Sequence, residues 1–324
     1  MKFATFRLSG EETDRVGVKL DDGLLELVDA SGATRWPSLL ALIEGGERAL
    51  DDARAVAENR SGRLHAMDTI ALRAPIPLPP QYRDAMCFHQ HIRQSFPTGA
   101  IIAAHASGDD AAVEAATAAA KDFEIPAVHS EIPVYYKGNR FAVGHPGQTV
   151  VWPSYSRAMD FELELACVIG TGGRDIGVAD AHDHIFGYTI LNDLSARDAQ
   201  GQEMRGLLGP AKGKDFDNAN VFGPYLVTAD EIGDPYTLRM SARVNGELWG
   251  EGHSSDMHWS FADLIARISA GETLYPGEII GSGTVGNGCG LEHMRLLQSG
   301  DHVALEIERV GVLENTVRAH PDHA

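Results

Sequence analysis

Strict alternation of apolar and polar residues marks the middle of the chain. In FELELACVI, Phe161, Leu163, Leu165, Cys167 and Ile169 fall on one face and Glu162, Glu164, Ala166 and Val168 on the other. That is the period-two signature of a strand. From residue 132 onward IFGYTILND, YTLRMSARVNGELWG, EIIGSGTVG and HVALEIERVG continue the β pattern. Asn245-Gly246 suits a two-residue hairpin turn. WSFADLIARISA is one clear short helix. With so few helices between strands, a parallel α/β sheet is disfavoured. The pattern predicts a mixed β fold with few helices (α+β).

Three further segments set the organisation. Residues 1–73 read as a small β-rich N-terminal domain. KFATFRLSG and RVGVKLDDG are its strands, with a turn at Asp21-Asp22-Gly23. LLALIEGGERALDDARAVAENR has helical spacing interrupted at Gly45-Gly46. Residues 74–84 contain APIPLPPQY, whose prolines remove backbone donors and prevent helix, so they read as a linker. The main domain is then 85–324, with an Ala-rich insert at 97–131. In the insert, Asp109 or Asp110 is placed to cap a helix. Its surface is mostly methyl groups, which pack weakly alone; a lid, an oligomer contact and a plain surface helix all suit it.

Composition narrows the function classes. The 324 residues carry 27 Lys+Arg against 46 Asp+Glu, a net charge of −19. Phosphate backbones and anionic lipid repel such a chain, so neither nucleic acid nor membrane is an expected partner. No run is long and apolar enough for a membrane helix, and MKFATFRLSGEETD lacks the apolar core of a signal peptide. Cys87, Cys167 and Cys289 form no CxxC pair, so no zinc knuckle or disulfide framework is legible. A soluble, reduced, cytoplasmic protein is expected.

Glu162 and Glu164 sit two apart on a strand, so both carboxylates lie on one side of the sheet. Taken alone they read as a solvent-facing acidic strip. Their company shifts that reading: Asp193 ends YTILN, and Arg197 and Lys214 follow in SARDAQ and KGKDF. Converging carboxylates repel unless a cation sits between them, and oxygen-only ligands select hard cations.

Four segments then carry a resemblance. MDFELELACVIG, GYTILNDLSARDAQ, LGPAKGKDFDNANVFGPYLV and LYPGEIIGSGTVGNG resemble, in order and spacing, the fumarylacetoacetate hydrolase family. The resemblance spans about residues 75–317 and is nearest to the carbon–carbon bond hydrolases of the family. RDAMCFHQHIRQ supplies an aspartate, Asp84, seven residues before His91, and GTVGNGCGLE supplies Glu292. The resemblance implies a β-roll catalytic domain, a homodimer, and metal ligation by Asp84, Glu162, Glu164 and Asp193. The metal would be Mg2+, or Mn2+ or Ca2+. It also implies a small-molecule substrate, a 1,3-diketo acid or 2-oxo acid. His91 would activate water with Glu292 orienting it, and Lys214, Arg197 and Gln200 would stabilise the enolate left by carbon–carbon cleavage. Tyr136, Arg140 and Thr284 are the implied substrate contacts.

Alternatives stay open on the residues themselves. His89 competes with His91, and the register with Asp84 favours the latter. Arg197 and Lys214 also suit structural ion pairs, and Cys289 reads as packing. Met204 stands near where fumarylacetoacetases place a substrate-contacting tyrosine, which leaves the preferred substrate open among fumarylacetoacetate and related acylpyruvates. Decarboxylases, dehydratases and isomerases share the same implied metal site, and a non-catalytic binding protein is a further reading. Gly281, Gly283 and Gly286 match GxGxxG, but Asn287-Gly288-Cys289-Gly290 is poor helix-start chemistry, so a dinucleotide fold is not expected. No GxSxG elbow is present.

Overall fold

The computed structural model describes residues 1–29 and 31–323. Two sheets dominate. A 12-stranded sheet runs through Lys2–Leu8, Asn220–Thr228, Ile185–Asp193, Leu163–Ile169, Ile279–Gly281 and Tyr82–Ala85 at its centre. A 5-stranded sheet is built on Arg239–Val244, His302–Ile307 and Gly311–Arg318. Most pairings are antiparallel, but Ile279–Gly281 runs parallel to Tyr82–Ala85. The expected mixed β architecture is therefore present, and the expected hairpin at Asn245-Gly246 forms with both residues at positive φ.

The strand Leu163–Ile169 lies between two cores. Its odd-numbered residues, Leu163, Leu165, Cys167 and Ile169, pack with Met240, Leu305, Leu313 and the helix Phe261–Ser269. Ala166 and Val168, on the other face, pack with Phe3, Leu25 and Val56 of the N-terminal segment. Full burial of each leucine contributes about 1.5–3 kcal/mol relative to exposure. The helix Phe261–Ser269 closes the first core and begins with a Ser260/Asp263 capping box.

The N-terminal segment shares this sheet. Lys2 and Phe3 pair with Val227 and Leu226, so the strands of residues 1–73 continue the 12-stranded sheet. Gly46, at φ +63, divides the helices Leu39–Glu44 and Gly46–Glu58 where the Gly-Gly pair predicts a break. The proline-rich connection is shorter than 74–84, because Tyr82–Ala85 is already a strand of the main sheet.

The 97–131 segment is helical but does not start at 97. One helix runs His89–Ser107 with Pro97 inside it, so the insert begins in mid-helix. Asp109 caps the next helix, Asp110–Lys121, which buries none of its residues. That helix lies along the first and is exposed in the single chain. No helix is long and apolar enough to cross a membrane among the described residues.

Candidate active site

Strand register brings the acidic residues together. Asp84 lies opposite Gly281 in the parallel pair, and Ala166 lies opposite Gly281 on the other side. Gly281 is tight on this face: a Cβ there would sit 2.5 Å from Asp84 Oδ1 and 2.9 Å from Glu164 Oε2. Asp193 ends the neighbouring strand, and its backbone N–H donates to the Glu162 carbonyl at 3.2 Å. Carboxylate oxygens of Asp84, Glu164 and Asp193 consequently converge within 4.8 Å of one another, all buried.

Glu162 is buried too, so the solvent-facing acidic strip is overturned. It stands one residue before the strand, in an isolated bridge with Cys289. Its carboxylate turns to cations instead of to the other three. Arg197 Nη1 pairs ionically with Glu162 Oε1 at 2.8 Å, and Lys214 Nζ donates to Glu162 Oε2. Lys214 also donates to Asp193 Oδ2 at 2.6 Å and so links Glu162 to the cluster.

Charge accounting explains the ionisation pattern. Five buried carboxylates, of Asp84, Asp160, Glu162, Glu164 and Asp193, face two buried cations, Arg197 and Lys214. Burial pushes Asp84 up to about 6, against the pull of Lys214. Burial, reinforced by Glu162 and Asp84, pushes Asp193 up to about 7. Glu164 rises well above the carboxylate range through burial and the charges of Asp84 and Asp193. Burial also acts upward on Glu162, but Lys214, Arg197 and His91 outweigh it and hold that carboxyl below its ordinary value. Three carboxyl groups that resist ionisation together are what a divalent cation relieves.

The donor set fits such an ion. It is all oxygen, which suits Mg2+, Mn2+ or Ca2+. Among the described residues, Asp84 Oδ1 and Asp193 Oδ1 have no hydrogen-bond partner and are buried, at a cost that ligation would remove. Competition with protons gives a testable pH dependence. Mn2+ affinity, measured by calorimetry, is expected to fall steeply as pH drops through about 7 and about 6. The metal-free protein behaves oppositely. These folded-state values lie above the unfolded carboxylate value of about 4, so their stabilising contribution is full below that pH and is lost as pH rises through 6 to 7. Affinity independent of pH across this window would exclude Asp84 and Asp193 as ligands.

A second arrangement adjoins the first. His91 lies in the first turn of His89–Ser107, and its Nδ1 is 3.1 Å from Glu292 Oε1. Glu292 Oε2 accepts the Cys289 N–H at 3.0 Å. His91 Nε2 points toward Glu162 Oε1, 3.9 Å away. His89 faces elsewhere: its ring stacks on His258 at 3.9 Å and its Nε2 approaches the His129 carbonyl. Of the two histidines, His91 is the one that meets Glu292.

The remaining expected residues divide. Tyr136 donates to Asp193 Oδ2 at 3.2 Å, and Thr284 Oγ1 reaches Glu164 Oε1 at 3.5 Å, beside the Gly283 N–H at 3.1 Å from Glu164 Oε2. Gln200 Oε1 accepts from Arg197 Nη1 at 3.0 Å. Arg140 is not brought to the cluster. Its Nε donates to the Pro79 carbonyl at 2.6 Å and its guanidinium lies over Phe141, because its long stem reaches the proline-rich connection first.

Asp160 escaped sequence reasoning. It accepts from Arg197 Nε at 3.0 Å and Nη2 at 2.7 Å, and from the N–H groups of Gly290 and Leu291. It therefore holds both Arg197 and the loop that carries Glu292. The signal was available: Asp160, Glu162 and Glu164 share one parity in MDFELEL.

Comparison with known proteins extends these observations. The model of the fumarylacetoacetate (FAA) hydrolase C-terminal domain matches residues 100–318. Asp84 and His91 precede that match. The chain is 33% identical to the oxaloacetate tautomerase YisK of Bacillus subtilis (strain 168), over 98% of this chain and 100% of the relative. Its fold resembles the fumarylacetoacetate hydrolase EaFAH of the psychrophile Exiguobacterium antarcticum, with TM-score 0.72, 26% identity, and 99% and 100% of the two chains covered. It also resembles the maleylpyruvate hydrolase of Sphingobium sp. SYK-6 in complex with manganese(II) and pyruvate, with TM-score 0.71, 25% identity, and 98% and 99% covered.

Proposed function

Because the chain belongs to the fumarylacetoacetate hydrolase family, we propose that it catalyses keto–enol interconversion of an oxaloacetate-like 2-oxo acid with a divalent metal. The similarity to an oxaloacetate tautomerase along essentially the full length of both chains carries this reading. The His91–Glu292 dyad beside a three-carboxylate cluster supplies the chemistry.

Asp84, Glu164 and Asp193 would hold the metal, with Glu162 alongside and linked to Asp193 through Lys214. Bound there, a divalent cation supplies Lewis-acid polarisation of the 2-oxo group. The proton transfers belong to the protein. Glu292 Oε1 holds a proton on His91 Nδ1, which leaves Nε2 as the basic atom. His91 Nε2 takes a proton from the carbon between the two carbonyl groups and returns one to carbon or to the enol oxygen. Keto and enol forms are isomers, so the cycle consumes no water. Lys214 and Arg197 offset the charge of the enolate. Asp160 and Gln200 position Arg197 for that role.

Carbon–carbon hydrolysis of a 1,3-diketo acid is the second reading. The same dyad favours it, since His91 Nε2 could as well take its proton from water. The two readings separate in one assay. Purified protein is expected to speed decay of the oxaloacetate enol absorbance with Mg2+ or Mn2+, and to lose that effect with chelator. Acylpyruvate diketone absorbance should persist under the same conditions. Diketone loss without acceleration of oxaloacetate enolisation would replace the tautomerase reading by the hydrolase one.

A further inference from the structure

The proposed proton transfers use His91 and Glu292 but leave the third group beside them idle. Cys289 is fully buried. Its sulfur, a ring nitrogen of His91 and a carboxylate oxygen of Glu292 all lie within 4.8 Å of one another. We propose that this trio is a second metal site, separate from the carboxylate cluster, which takes Zn2+ or another thiophilic divalent ion and thereby blocks the dyad.

The donors make the distinction. Asp84, Glu164 and Asp193 offer oxygen alone, which suits hard ions. Sulfur, imidazole nitrogen and carboxylate oxygen together are a zinc donor set, with three protein ligands and one open position. Zinc bonds of about 2.0 Å to nitrogen and about 2.3 Å to sulfur require these atoms, already within 4.8 Å of one another, to close around the ion. Two unconnected elements supply the ligands. His91 comes from the helix His89–Ser107, while Cys289 and Glu292 come from one folded loop. That loop is fixed before any metal arrives: Cys289 N–H donates to Glu292 Oε2, Cys289 bridges to Glu162, and Asp160 takes the N–H groups of Gly290 and Leu291. The carboxylate and thiol are thus aimed at the imidazole by backbone contacts.

Binding involves no redox change. The Cys289 thiol releases its proton to solvent and becomes the thiolate ligand. Seated between His91 Nδ1 and Glu292 Oε1, now 3.1 Å apart, the ion takes the place of the Nδ1 proton, which moves by way of solvent to Nε2, so the neutral ring keeps one N–H and loses its basic atom. Of the three ligands, His91 is 5% exposed and Cys289 fully buried. The inhibitory half of the inference rests on the dyad being needed for turnover; the binding half does not.

The test fills the carboxylate cluster first, with excess Mg2+, and then titrates whole protein with Co2+. A thiolate-to-cobalt charge-transfer band is expected, one equivalent strong, lost in Cys289→Ser and displaced by Zn2+. Carboxylates cannot produce it. In parallel, Zn2+ should inhibit wild type, and Cys289→Ser should need at least about tenfold more while retaining Mg2+-dependent activity. A missing band in wild type, or equal zinc sensitivity of the two proteins, overturns the proposal. If Cys289→Ser proves unstable, Cys289→Ala and the wild-type band decide the same question. A band in a protein without tautomerase activity would leave this site standing and discard the activity alone.

Discussion

Replacing His91 by alanine is expected to lower kcat by about a hundredfold to ten-thousandfold, the range of a single general base, and to leave Mn2+ affinity unchanged. His91 is aimed by Glu292 at 3.1 Å and lies outside the carboxylate cluster. Alanine is a good helix residue, so the turn that carries position 91 survives. Glu292→Gln should cost less, since the amide oxygen still accepts from Nδ1 but no longer compensates an imidazolium. Steady-state kinetics with calorimetric Mn2+ titration separates these effects. A His91→Ala enzyme within a few fold of wild type would remove the base from the dyad and pass the role to another group.

The second large effect concerns stability. Arg83→Met is expected to destabilise the protein by about 3–5 kcal/mol, the cost of leaving a buried charge unpaired. Arg83 is 2% exposed and its neighbour Asp84 belongs to the cluster on the opposite face of the strand. Arg83 donates to Glu278, itself 3% exposed, and to Glu272 at 2.5 Å. Without the guanidinium, Glu278 has no other cation in contact among the described residues. Lys137 keeps Glu272 partnered at 3.2 Å. The double variant Arg83→Met/Glu278→Met should recover most of the loss, because neither partner of that buried pair then remains charged. Denaturant midpoints measure both. An Arg83→Met midpoint equal to wild type would mean that water solvates Glu278.

How much of this was legible in the chain depends on the range of each interaction. Alternation in FELELACVI is local, and it sorted the two cores of the strand correctly. It also put Glu162 and Glu164 on one face, yet it carried no information about Lys214 and Arg197, which draw Glu162 away from the other carboxylates. The same period pointed to Asp160, whose role depends on a loop 130 residues away. Choosing His91 over His89 required the resemblance, because helix geometry alone does not say which face meets Glu292. Arg140 sits at the expected place in the chain, but a long side chain chooses its partner in space. The insert's start at 97 falls inside the helix His89–Ser107. Residues 1–73 looked separate because the pairing of Phe3 with Leu226 spans most of the sequence.

That pairing has a consequence in time. Phe3, Leu25 and Val56 share a core with Ala166, Val168, Leu191, Phe222 and Leu226. A ribosome adding about 5–20 residues per second emits Phe3 roughly 10–45 s before the strand that receives it at Leu226. Throughout that interval the nascent N-terminal segment carries an apolar face whose cover is still incomplete. Chaperone occupancy during synthesis should therefore peak early and end abruptly once Asn220–Thr228 clears the exit tunnel.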